Sequence, residues 1–141
     1  MANETYKATI QQWVKEAWNA GDFSSVSRLY PANYVLHDPS APAPIENPDA
    51  LGQMIRTFRA AMPDFQMHIE RMVGEGDFVA WQFLCTGTQS GPFMTIPPTN
   101  RQVSISGTVT SRFEGEKWVE DWVNWDALGY FQQLGVIPPL G

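Results

Sequence analysis

The sequence predicts an α+β fold, an antiparallel, twisted β-sheet with helices on one face. Three observations support this class. Apolar residues recur at helical spacing from Tyr6 to Met62 and at a period of two from Phe65 to Trp125. No strand–helix–strand alternation intervenes, so the sheet is not of the parallel, crossover kind. Long strands adjoin through short Gly-containing turns, and such strands pair antiparallel and twist.

Glu4 to Ala20 reads as one amphipathic helix, with Tyr6, Ile10, Trp13, Val14, Ala17 and Trp18 on its apolar stripe, Asn3 as N-cap and Gly21 as its stop. Asp22 is placed to cap a short second helix in which Phe23, Val26 and Leu29 share a face, and Pro31 ends it. Tyr34 to His37 is a short extended piece. Four prolines between Asp38 and Pro48 order the loop that follows. Asn47-Pro48-Asp49 then supplies an N-cap, a first-turn proline and an early acidic residue for a helix with Leu51, Met54, Ile55, Phe58, Ala61 and Met62 on its stripe. Pro63 closes it.

In the first strand after Pro63, Phe65, Met67, Ile69 and Val73 oppose Gln66, His68 and Glu70, and residues 74–77 (GEGD) form a turn. From Phe78 to Thr88, Val79, Trp81, Phe83 and Cys85 oppose Phe78, Ala80, Gln82 and Leu84, so both faces read as covered. Gln89 to Asn100 is a Gly/Pro-rich connection. Val103, Ile105, Gly107, Val109 and Ser111 alternate cleanly with Ser104, Ser106, Thr108, Thr110 and Arg112. Beyond the Glu114-Gly115-Glu116 turn, Val119, Asp121, Val123 and Trp125 share one face of the last strand, and Trp118, Glu120, Trp122 and Asn124 the other. A three-residue turn at 114–116 pairs Val109 with Asp121, which puts Asp121 on the helix-covered face. A two-residue Glu-Gly turn flips that assignment.

The chain of 141 residues is the length of one domain, and its 43% hydrophobic and 13% aromatic composition is that of a folded protein with large flat side chains inside. A net charge of −6 with scattered Lys and Arg argues against nucleic acid and against anionic membranes. Cys85 is the only cysteine, which excludes an intrachain disulfide and multi-cysteine metal sites. No signal-peptide pattern opens the chain and no apolar run approaches the roughly 18 residues of a membrane span, so the expected location is the cytoplasm.

Asp121 is the anomaly among the ionisable groups: a carboxylate between Val119 and Val123 is either a satisfied structural group or a tuned functional one. His37 opens the proline loop. It is either a proton shuttle oriented by Asp121 or Asp38, or a loop histidine bound to a backbone carbonyl. His68 lies on a polar, solvated face. His37 and His68 lack the paired spacing of a zinc site, so no metal is expected. Cys85 reads as a small hydrophobe. Trp13, Trp18, Phe58, Trp81 and Trp125 either line a pocket for a flat ligand or form plain core. Tyr34, Gln89 and Ser111 are candidates to hydrogen-bond a substrate carbonyl. Trp118 and Trp122, sharing the outer face with Glu120, point to a subunit interface through the sheet.

Several motifs carry a resemblance. Met62-Pro63-Asp64, Gly76-Asp77, Gly87-Thr88, Ile96-Pro97-Pro98-Thr99, Arg101, Glu120-x-Trp122 leading to Asp126, and Gln133-Leu134-Gly135 resemble the SnoaL-like polyketide cyclase (ester cyclase) family of the NTF2-like superfamily. The match spans nearly the whole chain in order, and its most specific part runs from Gly87 to Thr99. The resemblance implies an NTF2-like cone, a curved antiparallel β-sheet wrapped around N-terminal helices and enclosing a deep, mostly apolar pocket, with a homodimer or tetramer through the outer sheet face and a small apolar or aromatic ligand. For the cyclases it implies intramolecular aldol closure of a polyketide ester without metal or organic cofactor. Such chemistry needs one carboxylic acid in a dry pocket, where burial raises its pKa toward the working pH.

The chain also departs from the family. Val123 stands where the resemblance places the acid/base aspartate, Gly107 and Val109 stand at two polar pocket positions, and Gln89 replaces a histidine that many relatives carry. Asp121, one pleat from Val123, is then the candidate proton carrier and His37 its helper. Tyr34, Trp13, Phe58, Trp81 and Gln89 are expected at the substrate, together with Val109, Ser111, Val123 and Trp125. Two other readings stay open: a hydratase, isomerase or epoxide hydrolase on the same cone, and a non-catalytic binder of hydrophobic ligands, which Val123, Gly107 and Val109 favour.

Overall fold

The computed structural model describes residues 2–140 and places the helices first and the sheet after them. Helix α1 (Ala2–Trp13) buries Tyr6, Ile10 and Trp13. The chain does not continue as α-helix to Ala20. Val14–Trp18 is a π-helical turn, closed by Asn19 N donating to Val14 O at 3.0 Å. A π turn brings residues five apart onto one side, so Trp13 and Trp18 both face the interior. The Asn19 side chain pins this turn to the sheet, accepting from Met67 N at 2.7 Å and donating to Met67 O at 3.0 Å. Helix α2 (Val26–Leu29) is a single turn, and Asp22 caps the bend before it by accepting from Ser24 N at 3.0 Å. Helix α3 (Pro48–Ala61) starts as expected: Asn47 accepts from Ala50 N at 2.8 Å, and Leu51, Ile55 and Ala61 are buried.

Five strands form one curved, open sheet in the order β1-β5-β4-β3-β2. They are β1 (Val35–His37), β2 (Gln66–Glu75), β3 (Phe78–Thr88), β4 (Gln102–Glu114) and β5 (Lys117–Trp125). Four are antiparallel, and β1 adds a short parallel edge to β5. The β2–β3 and β4–β5 turns are the two-residue steps Gly76-Asp77 and Gly115-Glu116, whose glycines take φ +59° and +60° as such hairpins require at their first central position.

The register of β5 differs from both expectations. Glu114 pairs with Lys117 and Phe113 with Trp118, but Arg112 pairs with Glu120, so Val119 is an extra residue in a bulge. Ser111 therefore pairs with Asp121, Val109 with Val123 and Gly107 with Trp125. The bulge flips Trp118 from the outer face to the inner one, where it is fully buried, and so removes it from the expected outer-face patch. A second bulge, between Ile69 and Arg71, exposes Val73 and turns Met72 toward the core in its place. On β3 only one face is covered: Val79, Trp81, Phe83 and Cys85 are buried, while Phe78 and Ala80 are exposed.

Helix α4 (Ala127–Leu134) starts at Asp126, which accepts from Gly129 N at 2.8 Å, and ends at Gly135 in the left-handed region. Gln133 clamps it to β4 by bonding both backbone groups of Ser104. No helix among the described residues is long and apolar enough to cross a membrane.

Candidate active site

The concave face of the sheet and the helices enclose a cavity of about 90 Å³ with almost wholly apolar walls. Trp13 and Trp18 enter from the α1 end, Phe58 from α3, Trp81 from β3, Val109 from β4, and Val123 and Trp125 from β5. Of the aromatic residues expected there, Trp13, Phe58, Trp81 and Trp125 all line it. At its rim Trp125 Nε1 donates to Asp38 Oδ2 at 3.0 Å and ties the proline loop to β5. Gly107 offers no polar group to this wall: the Phe83 ring lies where its side chain would project, with Phe83 Cζ 2.3 Å from an added Cβ.

Asp121 sits among the most deeply buried lining residues, beside Trp13, Tyr30 and Trp118. Three donors hold it. Tyr34 Oη donates to Oδ2 at 2.5 Å, Ser111 Oγ to Oδ1 at 2.5 Å and Trp118 Nε1 to Oδ1 at 2.8 Å. Trp81 Nε1 in turn donates to Ser111 Oγ at 3.0 Å, which fixes the hydroxyl that Asp121 accepts. The β5 bulge builds this site. Trp118 and Asp121 are three residues apart and would lie on opposite faces of a regular strand, whereas the extra Val119 puts both inside.

Burial is the dominant force on Asp121, and it lifts the carboxyl to about pKa 6. The bonds from Ser111, Tyr34 and Trp118 pull it back down, and Glu120 adds a smaller upward push. Burial also drives the Tyr30 and Tyr34 phenols well above their usual range, so both remain donors. Cys85 lines the cavity with its thiol pushed far up by burial, which keeps it neutral.

His37 does not join Asp121. Leu36 pairs with Asp121 across the parallel edge and faces in, so His37, one residue on, faces out. There it pairs with Glu120 Oε2 at 2.6 Å and stacks on Trp122 with centroids 5.4 Å apart. Gln89 is also outside the cavity. It is fully buried as the hub of its own loop, donating to Gly91 O and Pro97 O and accepting from Thr99 N and Oγ1. Tyr34 and Ser111 reach the cavity only through Asp121. Tyr30, Trp118 and Asp38 join the site without having been singled out for it. The bulge hides Trp118, and Tyr30 lies just past α2, outside the Phe23, Val26 and Leu29 stripe. Among the described residues no cluster of three or more His, Cys, Asp or Glu side chains suits a metal ion.

Comparison with solved structures finds the same architecture. AclR from Streptomyces galilaeus, a proposed hydroxylase, is 27% identical with a TM-score of 0.82, over 96% of this chain and 83% of that one. IdmH from Streptomyces antibioticus, a proposed polyketide cyclase, is 28% identical with a TM-score of 0.79, over 92% of this chain and 98% of that one. A protein of ketosteroid isomerase-like fold from Catenulispora acidiphila, solved with trimethylamine, shares the fold at 16% identity and a TM-score of 0.73, over 91% and 92% of the two chains. No curated protein matches. The model of the SnoaL-like polyketide cyclase family matches residues 8–134, which take in the cavity-lining helices, all five strands and α4. With the Gly87–Thr99 loop, the five-stranded sheet and the cavity on its concave face all within that match, the chain belongs to the SnoaL-like polyketide cyclase family.

Proposed function

We propose that this protein is an acid/base enzyme that works without a metal or organic cofactor on a small apolar or aromatic carbonyl compound, with Asp121 as its proton carrier. One observation carries the reading: a carboxyl lifted to about pKa 6 at the buried end of an apolar cavity. A group with that pKa is ionised enough near neutral pH to accept a proton and acidic enough to return it. Oδ2 accepts only the Tyr34 bond, which leaves it a second lone pair. In the forward step a C–H bond next to the substrate carbonyl breaks, its proton passes to Oδ2, and the electron pair moves into the enolate. The enolate carbon then attacks a second carbonyl of the same molecule, forming the C–C bond and an alkoxide. Asp121 gives its proton to that alkoxide and is restored. The cavity of about 90 Å³ holds the reacting end of such a molecule, and a larger substrate extends past the Trp125–Asp38 contact.

The test is deuterium incorporation at the benzylic C1 of 2-tetralone in D2O, followed by proton NMR. The wild type is expected to accelerate exchange with a pH profile that rises through about 6. Asp121→Asn should lose about 100-fold or more of the acceleration, the usual contribution of a positioned base. Equal exchange by the two proteins would remove Asp121 from the chemistry. The second reading, a non-catalytic binder, draws on the Val109–Val123 pair in the wall and on the three donors that already satisfy Asp121. It is favoured if 2-tetralone binds to the wild type and no exchange is catalysed.

A further inference from the structure

Three buried hydroxyls among the described residues have no hydrogen-bond partner: those of Ser25, Tyr30 and Tyr130. Of these residues only Tyr30 lines the cavity. Tyr130 is enclosed by Phe58, Phe93, Trp125 and Phe131, and Ser25 lies in the bend before α2. Tyr30 is 4% exposed, and its ring is held from several sides, with centroids 4.7 Å from Tyr34, 5.1 Å from Trp13 and 5.2 Å from Trp118. Of these neighbours Tyr34 and Trp118 donate to the Asp121 carboxylate, whose charge reaches the Tyr30 phenol. A rigidly packed phenol with an unmade bond beside a carboxylate is costly to maintain unless something entering the cavity completes it.

We propose that Tyr30 Oη is the hydrogen-bond donor for a carbonyl oxygen of the bound molecule, which makes the Asp121 end of the cavity a subsite for ketones and esters. The chemistry is one-directional. The hydroxyl is neutral and has a proton to give, a ketone or ester oxygen has lone pairs and no proton, and a hydrocarbon offers nothing. Within the acid/base reading, on which this consequence rests, the charge balance also fits. When the substrate proton passes to Asp121 the carboxylate loses its charge, and the electron pair that broke from the C–H bond appears on the oxygen bonded to Tyr30. The negative charge thus moves from one hydrogen-bonded oxygen to another within the same dry end of the cavity, and Tyr30 touches the atom where it arrives.

The test separates the hydroxyl from the ring and needs no turnover, so its failure is distinguishable from failure of Asp121 as the proton carrier. Acetophenone and α-methylstyrene are near-isosteres that differ by C=O against C=CH2. Their dissociation constants are read by quenching of tryptophan fluorescence in the wild type and in Tyr30→Phe. The wild type is expected to bind the ketone about 5- to 10-fold more tightly than the alkene, the yield of one net hydrogen bond. In Tyr30→Phe that preference disappears through weaker ketone binding, with alkene binding unchanged and no fall in melting temperature, since no protein hydrogen bond is lost. Absence of a ketone preference in the wild type, including failure of the ketone to bind, overturns the proposal. So does a preference that survives in Tyr30→Phe, and so does equal weakening of both probes with a lowered melting temperature, which marks a packing role.

Discussion

At the scale of single residues, Asp121 is the product of two opposed effects. Burial raises its pKa, three donors lower it, and the carboxyl comes to rest at about 6 because desolvation of a fully enclosed charge outweighs bonds that water would also have made. Ser111→Ala removes one of the lowering bonds and leaves the Trp81 indole N–H without its acceptor. The titration midpoint of the Asp121 carboxyl, followed by carbon NMR, is therefore expected to move above about 6. Unfolding in urea should show a loss of about 1–3 kcal/mol from the unpaired buried groups. An unmoved midpoint would mean that Ser111 does not set the acidity. The carboxylate itself was legible in the sequence, because an ionisable group between two valines is an anomaly at any period. Its partners were not. His37 is near it in space, yet the backbone alternation of the parallel edge carries the imidazole to the other side of the sheet.

Elements were legible wherever one periodicity ran unbroken, as in α3, where Leu51, Ile55 and Ala61 are buried and Met54 and Phe58 half-buried against the core, and in β4, where Val103, Ile105 and Val109 are buried. Faces were lost where a strand takes an extra residue. The bulge after Ile69 in β2 inverts the later assignments there, whereas Val119 in β5 flips Trp118 before it and leaves Asp121, Val123 and Trp125 inside, and a period-two reading has no term for either. The π-helical turn is the helical counterpart, since Trp13 and Trp18 both fit an α-helical stripe and it is bonding such as that from Asn19 N to Val14 O that marks the π geometry. The Gln89–Asn100 connection shows a different blind spot. Its order comes from one side chain bonding four backbone and hydroxyl groups, a pattern that composition does not reveal. Gln89→Leu fills much the same space and makes none of these bonds. It is expected to cost about 2–4 kcal/mol in urea unfolding, with several buried polar groups left unpaired. Acetophenone binding should be unchanged in the folded variant, because Gln89 does not line the cavity. A selective loss of ligand affinity without destabilisation would return Gln89 to the substrate.

For the whole molecule these local pKa shifts set the pH at which the fold is most stable. Asp64 and Asp22 are both held below the usual carboxylate value, chiefly by the backbone N–H groups of Thr88 and Ser24. A lowered folded-state pKa gives stability that is present above the unfolded value of 3.8 and lost as pH falls through the folded value. Asp121 has the opposite sign. Its folded-state pKa is raised from 3.8 to about 6, so its contribution is complete below 3.8 and is lost as pH rises through about 6. That shift corresponds to about 3 kcal/mol across the interval. Acid weakens the fold through the first pair and rising pH weakens it through Asp121, so the maximum falls near about pH 4, where the first contribution is complete and the loss through Asp121 begins. Asp121→Asn isolates the second limb. Its amide oxygen still accepts from Ser111 and Trp118, and its amide nitrogen meets the Tyr34 oxygen once that hydroxyl turns. Urea unfolding of the two proteins from pH 3.5 to 8 should give curves that diverge between pH 4 and 7, the wild type losing about 3 kcal/mol more than the variant over that range. Parallel curves would show that Asp121 is ionised in the folded protein at little cost, and with that the pKa that makes it suitable as a proton carrier would be gone. The ionised form that the proposed chemistry needs is thus purchased with stability: at neutral pH the fold carries a buried negative charge that it would hold more easily as a neutral acid.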